Sequence, residues 1–358
     1  MQGDITVKCG VVTVYNSENC GSFLQAYAMT RVLKNNGAEA VVVRQGFKGH
    51  SSTLPVYLLL VVKNLLKGRF ANVKRLTQRR KAFRQACENT FTIVDPAEAL
   101  DCYILGSDVI WDLTEPYFKD NYPFFWGTQF QNKKVISYAA SVGFAKEKEL
   151  NNAPFVRDAL QKMDSVSVRD INTKQLLQPY CDKEIRLVCD PTYLIDRVDY
   201  NAIAKPTELD QFIFLYCYKR LSLEDQAAIA EIAGREGLKT VTFGNFNPWC
   251  DINLAYDPRL FLSIYDKANY IITDTFHGTV FSTIYEKRFA VVKNDKQKVL
   301  NVLKMCGLSD KMTETAADYA AILHGEFDYE TARQSILRER MNSLCYLNKA
   351  LEEGDTNG

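Results

Sequence analysis

The sequence predicts an α/β protein made of two Rossmann-like domains with a central cleft between them. Three observations lead there. Short apolar runs alternate with helix-period segments along most of the chain, the pattern of parallel sheets with helices on both faces. The chain has 358 residues, 47% of them hydrophobic, and one core rarely grows past roughly 250–300 residues. Polar turns follow several apolar runs, and ligands of doubly wound sheets sit beyond the carboxyl ends of the strands.

In chain order, strands are expected over 6–15, 40–44, 103–105, 134–141, 165–168, 187–189, 211–218, 240–243, 270–273 and 289–292. Helices are expected over 22–36, 153–163, 172–178, 223–236, 258–266, 278–286, 296–305 and 329–351. In the first helix Leu24, Tyr27, Ala28 and Val32 share one face, Ser22 is a suitable N-cap and Gly37 a suitable stop. A domain boundary is expected just after Asp190-Pro191-Thr192, where an apolar run ends in a proline turn. This gives an N-terminal domain over 1–195, expected to be the acceptor side, with a basic insertion at 54–88. A second domain covers 196–328. A last helix and tail over 329–358 either cross back to the first domain or form a dimer seam.

Composition excludes several classes. Lys and Arg total 44 against 43 Asp and Glu, a balance unlike that of a dedicated nucleic-acid binder. No apolar run reaches the ~18–20 residues of a membrane helix, and the first residues carry no signal-peptide pattern. Ten cysteines include no CxxC pair. Cys9, Cys102, Cys189 and Cys217 lie in apolar runs, so a reducing, cytoplasmic setting is expected. Three dispersed histidines do not make zinc spacing, and no metal is expected. The dinucleotide and P-loop glycine fingerprints are absent.

Charge is unevenly distributed. No acidic residue occurs between Glu39 and Glu88, while Arg44, Lys48, Lys63, Lys67, Arg69, Lys74, Arg75, Arg79, Arg80, Lys81 and Arg84 fall there. Residues 56–86 also hold the apolar clump from Tyr57 to Val62. Two readings stay open: a solvated helical insertion, or peripheral contact with an anionic membrane face.

Four segments are placed to carry chemistry. Asn19, Gly21, Ser22 and Gln25 open the first helix, whose N-terminus could hold an anion. Gly106, Ser107, Asp108 and Trp111 follow the third apolar run, where Asp108 suits a sugar hydroxyl and Trp111 a sugar face; the alternative is an Asx-type turn with a core tryptophan. Ser141 ends the next run, and Arg169 ends the one after, its guanidinium suited to carboxylate or phosphate or to a neighbouring acid. His277 lies between Asp274 and Gly278 in Thr273-Asp-Thr-Phe-His-Gly278, where a buried strand meets a helix. Lys293, Lys296 and Lys298 come after the next strand.

Together these segments resemble the polysaccharide pyruvyl transferase family. The matching stretches are Asn19-Cys-Gly-Ser-Phe-Leu-Gln-Ala-Tyr-Ala28, Leu105-Gly-Ser-Asp-Val-Ile-Trp111, Ser137-Tyr-Ala-Ala-Ser141, Ser167-Val-Arg169, Cys189-Asp-Pro-Thr192 and Ile272-Thr-Asp-Thr-Phe-His-Gly-Thr-Val-Phe281. The resemblance implies a fold like the GT-B glycosyltransferases. It also implies transfer of a pyruvyl group from phosphoenolpyruvate, as co-substrate, to a saccharide, with no metal or other cofactor. By resemblance His277 is the general acid, assisted by Asp274. Arg169, Thr275, Gly278, Lys293, Lys296 and Lys298 form the donor site, and Asn19, Gly21, Ser22, Gln25, Gly106, Ser107, Asp108, Trp111 and Ser141 face the acceptor, whose attachment to a lipid carrier is left open. Some family members carry Arg-Leu-His where this chain has Thr275-Phe276-His277; Arg169, the lysines or Arg288 would then supply the missing cation. A nucleotide-sugar glycosyltransferase and a non-catalytic member of the same fold are the alternatives. Whether the chain forms a homo-oligomer is open.

Overall fold

A computed structural model describes residues 7–45, 54–66, 70–130, 132–244 and 246–352. Lys48, Lys67 and Arg69 of the basic stretch, and the acidic tail from 353 onward, lie outside the described residues. The chain divides into two compact units: residues 1–57, 87–195 and 339–358 in one, and 58–86 and 196–338 in the other.

The first unit holds β1 (Lys8–Val12), β2 (Glu39–Val43), β3 (Ile93–Val94), β4 (Cys102–Leu105) and β5 (Lys134–Ser137). They form one sheet in the order β3-β2-β1-β4-β5, and each neighbouring pair is parallel. The central β1 and β4 bury almost every residue, as strands covered on both faces must, so they read as unbroken apolar runs. A parallel pair, β6 (Val166–Val168) and β7 (Ile185–Leu187), forms a separate small sheet. The last part of the C-terminal helix also belongs here: Ser343 Oγ accepts from Cys189 N at 2.9 Å, and Tyr346 OH donates to Ser137 O at 2.8 Å.

The second unit repeats the plan. Its strands are β8 (Phe212–Tyr216), β9 (Lys239–Phe243), β10 (Ile252–Leu254), β11 (Tyr270–Thr273) and β12 (Arg288–Val291). Their order is β10-β9-β8-β11-β12, again all parallel. In both sheets the chain winds outward from the centre, returns, and winds the other way. The reversal falls between β1 and β4 in the first sheet and between β8 and β11 in the second, the crevice where doubly wound sheets bind ligands. The expected α/β class is therefore observed.

Several expected boundaries shift. Helix α1 spans Cys20–Asn35 with Asn19 as its N-cap, whose Oδ1 accepts from Gly21 N at 2.8 Å; Ser22 lies inside the first turn. The motif helix spans Phe276–Ile284, two residues earlier than expected, so His277 stands within its first turn. The 54–88 stretch forms α2 (Leu54–Leu66) and α3 (Phe70–Thr90). The sequence suggests an insertion of the first domain, yet residues 58–86 pack with the second unit. The reason is α3, where the guanidinium groups of Arg75 and Arg79 sit 4.2 and 4.6 Å from the ring centroids of Phe246 and Tyr256.

Candidate active site

The second unit builds a turn at its sheet reversal. Strand β11 delivers Thr273 and Asp274, and the Phe276–Ile284 helix starts at once behind Thr275, its N-cap. Asp274 is 1% exposed. Its Oδ1 accepts from Tyr218 N at 2.8 Å and its Oδ2 from Lys219 N at 3.0 Å. The carboxylate thus fastens the turn after β8 to the turn after β11. Lys296 Nζ donates to Asp274 O at 2.7 Å and lies 3.5 Å from its Oδ2. Thr275 Oγ1 accepts from Gly278 N at 2.9 Å and stands 3.1 Å from Thr273 Oγ1, which donates to Tyr216 O at 2.7 Å. A Cβ at Gly278 would overlap both threonine hydroxyls, so the motif needs glycine for space. His277 is half-buried beside Phe276, ring centroids 4.9 Å apart. Lys298 Nζ lies 5.8 Å from the Phe276 ring centroid.

The first unit gathers its polar motif residues at the β1–β4 reversal. Gln25 is fully buried. Its Nε2 donates to Thr13 Oγ1, Val14 O and Ser22 O at 2.8–3.0 Å, and its Oε1 accepts from Ser107 N at 3.3 Å. Ser22 Oγ donates to Asp108 Oδ2 at 2.7 Å. Gly106 has φ +119°, and a Cβ there would overlap Tyr138 O, so this strand end also demands glycine. Ser107 Oγ donates to Asp190 Oδ2 at 3.3 Å. The same oxygen accepts from Arg169 Nη1 at 3.1 Å, in an ion pair whose side chains are 8% and 1% exposed.

A family model for polysaccharide pyruvyl transferases matches residues 19–296. The chain belongs to the polysaccharide pyruvyl transferase family. Among solved structures, it is similar to a Listeria monocytogenes protein described as a UDP-N-acetylglucosamine 2-epimerase. That likeness has TM-score 0.56 and 12% identity and covers 97% of each chain. A glycosyltransferase from Rickettsia africae aligns with TM-score 0.48 and 12% identity, over 98% of this chain and 100% of that one. No curated protein sequence matched. The fold is GT-B-like, with two Rossmann-like units.

Against this family background, several expected roles change. Trp111 offers no face to a sugar: it is 0% exposed, stacks on Trp126 at 4.6 Å, and its Nε1 donates to Phe125 O at 3.0 Å. The amides expected to hold an anion at the two helix starts are already capped, Gly21 and Ser22 by Asn19 and Gly278 by Thr275. Arg288 is no substitute for the family's missing arginine. It begins β12, paired with Tyr270 at the amino end of β11, and its Nη1 donates to Leu323 O and Gly325 O at 2.8 and 2.9 Å. Lys293 pairs with Glu314 at the surface. Ser141 Oγ donates to Asp170 Oδ2 at 2.9 Å, and Arg169 is held by Asp190 in the first unit. Lys296 is the expected cation that the structure does bring to the His277 turn. Asp108 stays partly exposed. Among the described residues, no three His, Cys, Asp or Glu side chains cluster to hold a metal. No described helix is long and apolar enough to cross a membrane.

One feature is not announced by the sequence: a cavity of about 940 Å³ in the second unit, beyond the carboxyl ends of β8, β9 and β10. Tyr218, Lys219 and Arg220 line one side, Phe246, Trp249 and Tyr256 another, and Arg75 and Arg79 of α3 a third. Part of the signal is present. Asn72, Arg75, Leu76 and Arg79 recur at helical spacing and mark one face of α3.

Proposed function

We propose that this chain transfers the pyruvyl group of phosphoenolpyruvate to two hydroxyls of a saccharide, closing a cyclic ketal and releasing phosphate. The observation that carries this reading is the family match, which includes a histidine in the first turn of a helix at the sheet reversal. In the proposed reaction His277, as general acid, protonates the methylene carbon of the donor. The carbon bearing the carboxylate becomes electron-poor, and a sugar hydroxyl bonds to it. The bond from that carbon to the phosphate oxygen breaks, and the second hydroxyl closes the ring. Of the two hydroxyl protons, one leaves with the phosphate and one restores the acid.

The turn around His277 supports this role. Asp274 spends its carboxylate on two backbone amides and Lys296, so it acts as a positioning residue for the turn rather than as a second acid. Lys296, fixed on that turn, is a cation for the donor's charge, and Lys298 is a second one nearby.

The test is 31P NMR of phosphoenolpyruvate incubated with the protein and a panel of hexose and N-acetylhexosamine saccharides. Saccharide-dependent release of inorganic phosphate is expected, with a loss of about 100-fold or more in His277→Ala. Equal rates in the variant would remove His277 from the chemistry.

A further inference from the structure

Helix α2 turns its apolar side outward. It has 13 residues, with Lys63 as its one charged side chain. An apolar helix of that length is too short to span a bilayer and is ordinarily buried in a core. Here Leu58, Leu59, Val62, Leu65 and Leu66 are all exposed, Leu59 by 68% and Leu66 by 83%. Their spacing, i, i+1, i+4, i+7 and i+8, puts them on one face about 120° wide. The other side of the helix meets the protein. Leu60 and Asn64 border the cavity of the second unit, and Asn64 Oδ1 accepts from Asn72 Nδ2 at 3.3 Å, which ties α2 to α3. Helix α3 is arranged likewise. Arg75 and Arg79 reach Phe246 and Tyr256 on its inner side, while Phe70, Lys74, Lys81 and Arg84, at i, i+4, i+11 and i+14, share an exposed face.

We propose that the outward faces of α2 and α3 form a docking surface for an anionic bilayer, the leucines entering the headgroup boundary and the cations meeting lipid phosphates. Charge selects this occupant. Residues 54–87 hold nine Lys and Arg and no Asp or Glu, whereas the whole chain has a net charge of +1, so the rest of the chain is net acidic. An anionic surface attracts this face and repels the remainder, which sets the orientation of docking. Pairing the same face with that of a second copy would instead set cations against cations. An apolar stripe bordered by Lys and Arg is also the make-up of a helix that lies in the plane of the membrane interface. A docked α2 brings the cavity wall it forms to the bilayer surface. The proposal stands on this surface and is independent of the transferase reading.

Co-sedimentation of the intact protein with vesicles of phosphatidylcholine, alone or with about one third phosphatidylglycerol, tests the surface. Binding is expected to the anionic vesicles and not to the neutral ones, and to weaken as salt is raised. It should fall about tenfold or more in the double variant Lys74→Gln, Lys81→Gln, and by a similar factor in Leu59→Ser, Leu66→Ser. Lys304→Gln, away from this face, and His277→Ala should bind as the unsubstituted protein does, so failure of the donor chemistry and failure of this surface are separable. Hydrogen exchange of the unsubstituted protein removes dependence on how the variants fold: anionic vesicles should slow exchange in residues 58–66. Sedimentation velocity without vesicles reads the other occupant. Self-association that the leucine variant abolishes would give the face to a second copy and overturn the proposal. So would no binding to anionic vesicles, equal binding to both kinds, or binding indifferent to both double variants.

Discussion

Residue by residue, the motif positions divide into buried braces and partly open groups. Asp274, Gln25, Asp190 and Arg169 are spent on internal hydrogen bonds, whereas His277 keeps part of its surface open, as does Asp108 although both its carboxylate oxygens accept hydrogen bonds. Arg169 shows why this division matters. Removing one partner of a buried ion pair leaves a charge uncompensated. Arg169→Ala is therefore expected to destabilise the protein by about 3–5 kcal/mol, read from urea unfolding. A variant that unfolds at the same midpoint would free Arg169 for the donor role that the sequence suggests. Sequence alone can place Arg169 and Asp190 at strand ends but cannot pair them, because they lie on different elements. Trp111 stays undecided in the sequence between a sugar face and the core for the same reason: only the packing of Trp126 against it shows that its ring is core.

For elements, legibility tracks length and apolarity. Strands such as β8 and β11 are buried, continuous and bounded by polar turns, so they are readable. The edge strands β3 and β10 are not, being two and three residues long, too short to show a period. Strand β10 is held instead by a side chain at its start. Asp251 Oδ2 accepts from Thr240 N at 2.7 Å and Thr240 Oγ1 at 2.8 Å, bonds that lower the Asp251 carboxyl below its ordinary pKa, the Thr240 amide contributing most. A lowered folded-state pKa adds stability that is full above the unfolded value, about 3.9, and is lost as pH falls through the folded one. The stability difference between the unsubstituted protein and Asp251→Asn should thus shrink on acidification from about pH 6 to about pH 3. A difference constant across that range would show that the carboxylate does not hold the edge. Helix α3 is legible as a basic helix, but its partner is not, since the aromatic rings it meets lie far along the chain.

At the scale of the whole molecule, two doubly wound sheets can be foreseen from alternation alone, and the family from six ordered stretches. What alternation cannot give is membership. Residues 58–86 leave the first unit to join the second, and the last helix contributes to both. Such excursions are fixed by long-range contacts, which leave no local pattern. The first excursion brings Arg75 and Arg79 to the cavity beyond β8, β9 and β10. The central claim is that the family chemistry survives here although threonine stands where some members have arginine, two residues before the histidine. Calorimetric titration of the intact protein with phosphoenolpyruvate tests it most directly. Saturable binding, weakened about tenfold or more in Lys296→Ala, is the result this account predicts. No binding up to millimolar donor, or binding indifferent to Lys296, would contradict it.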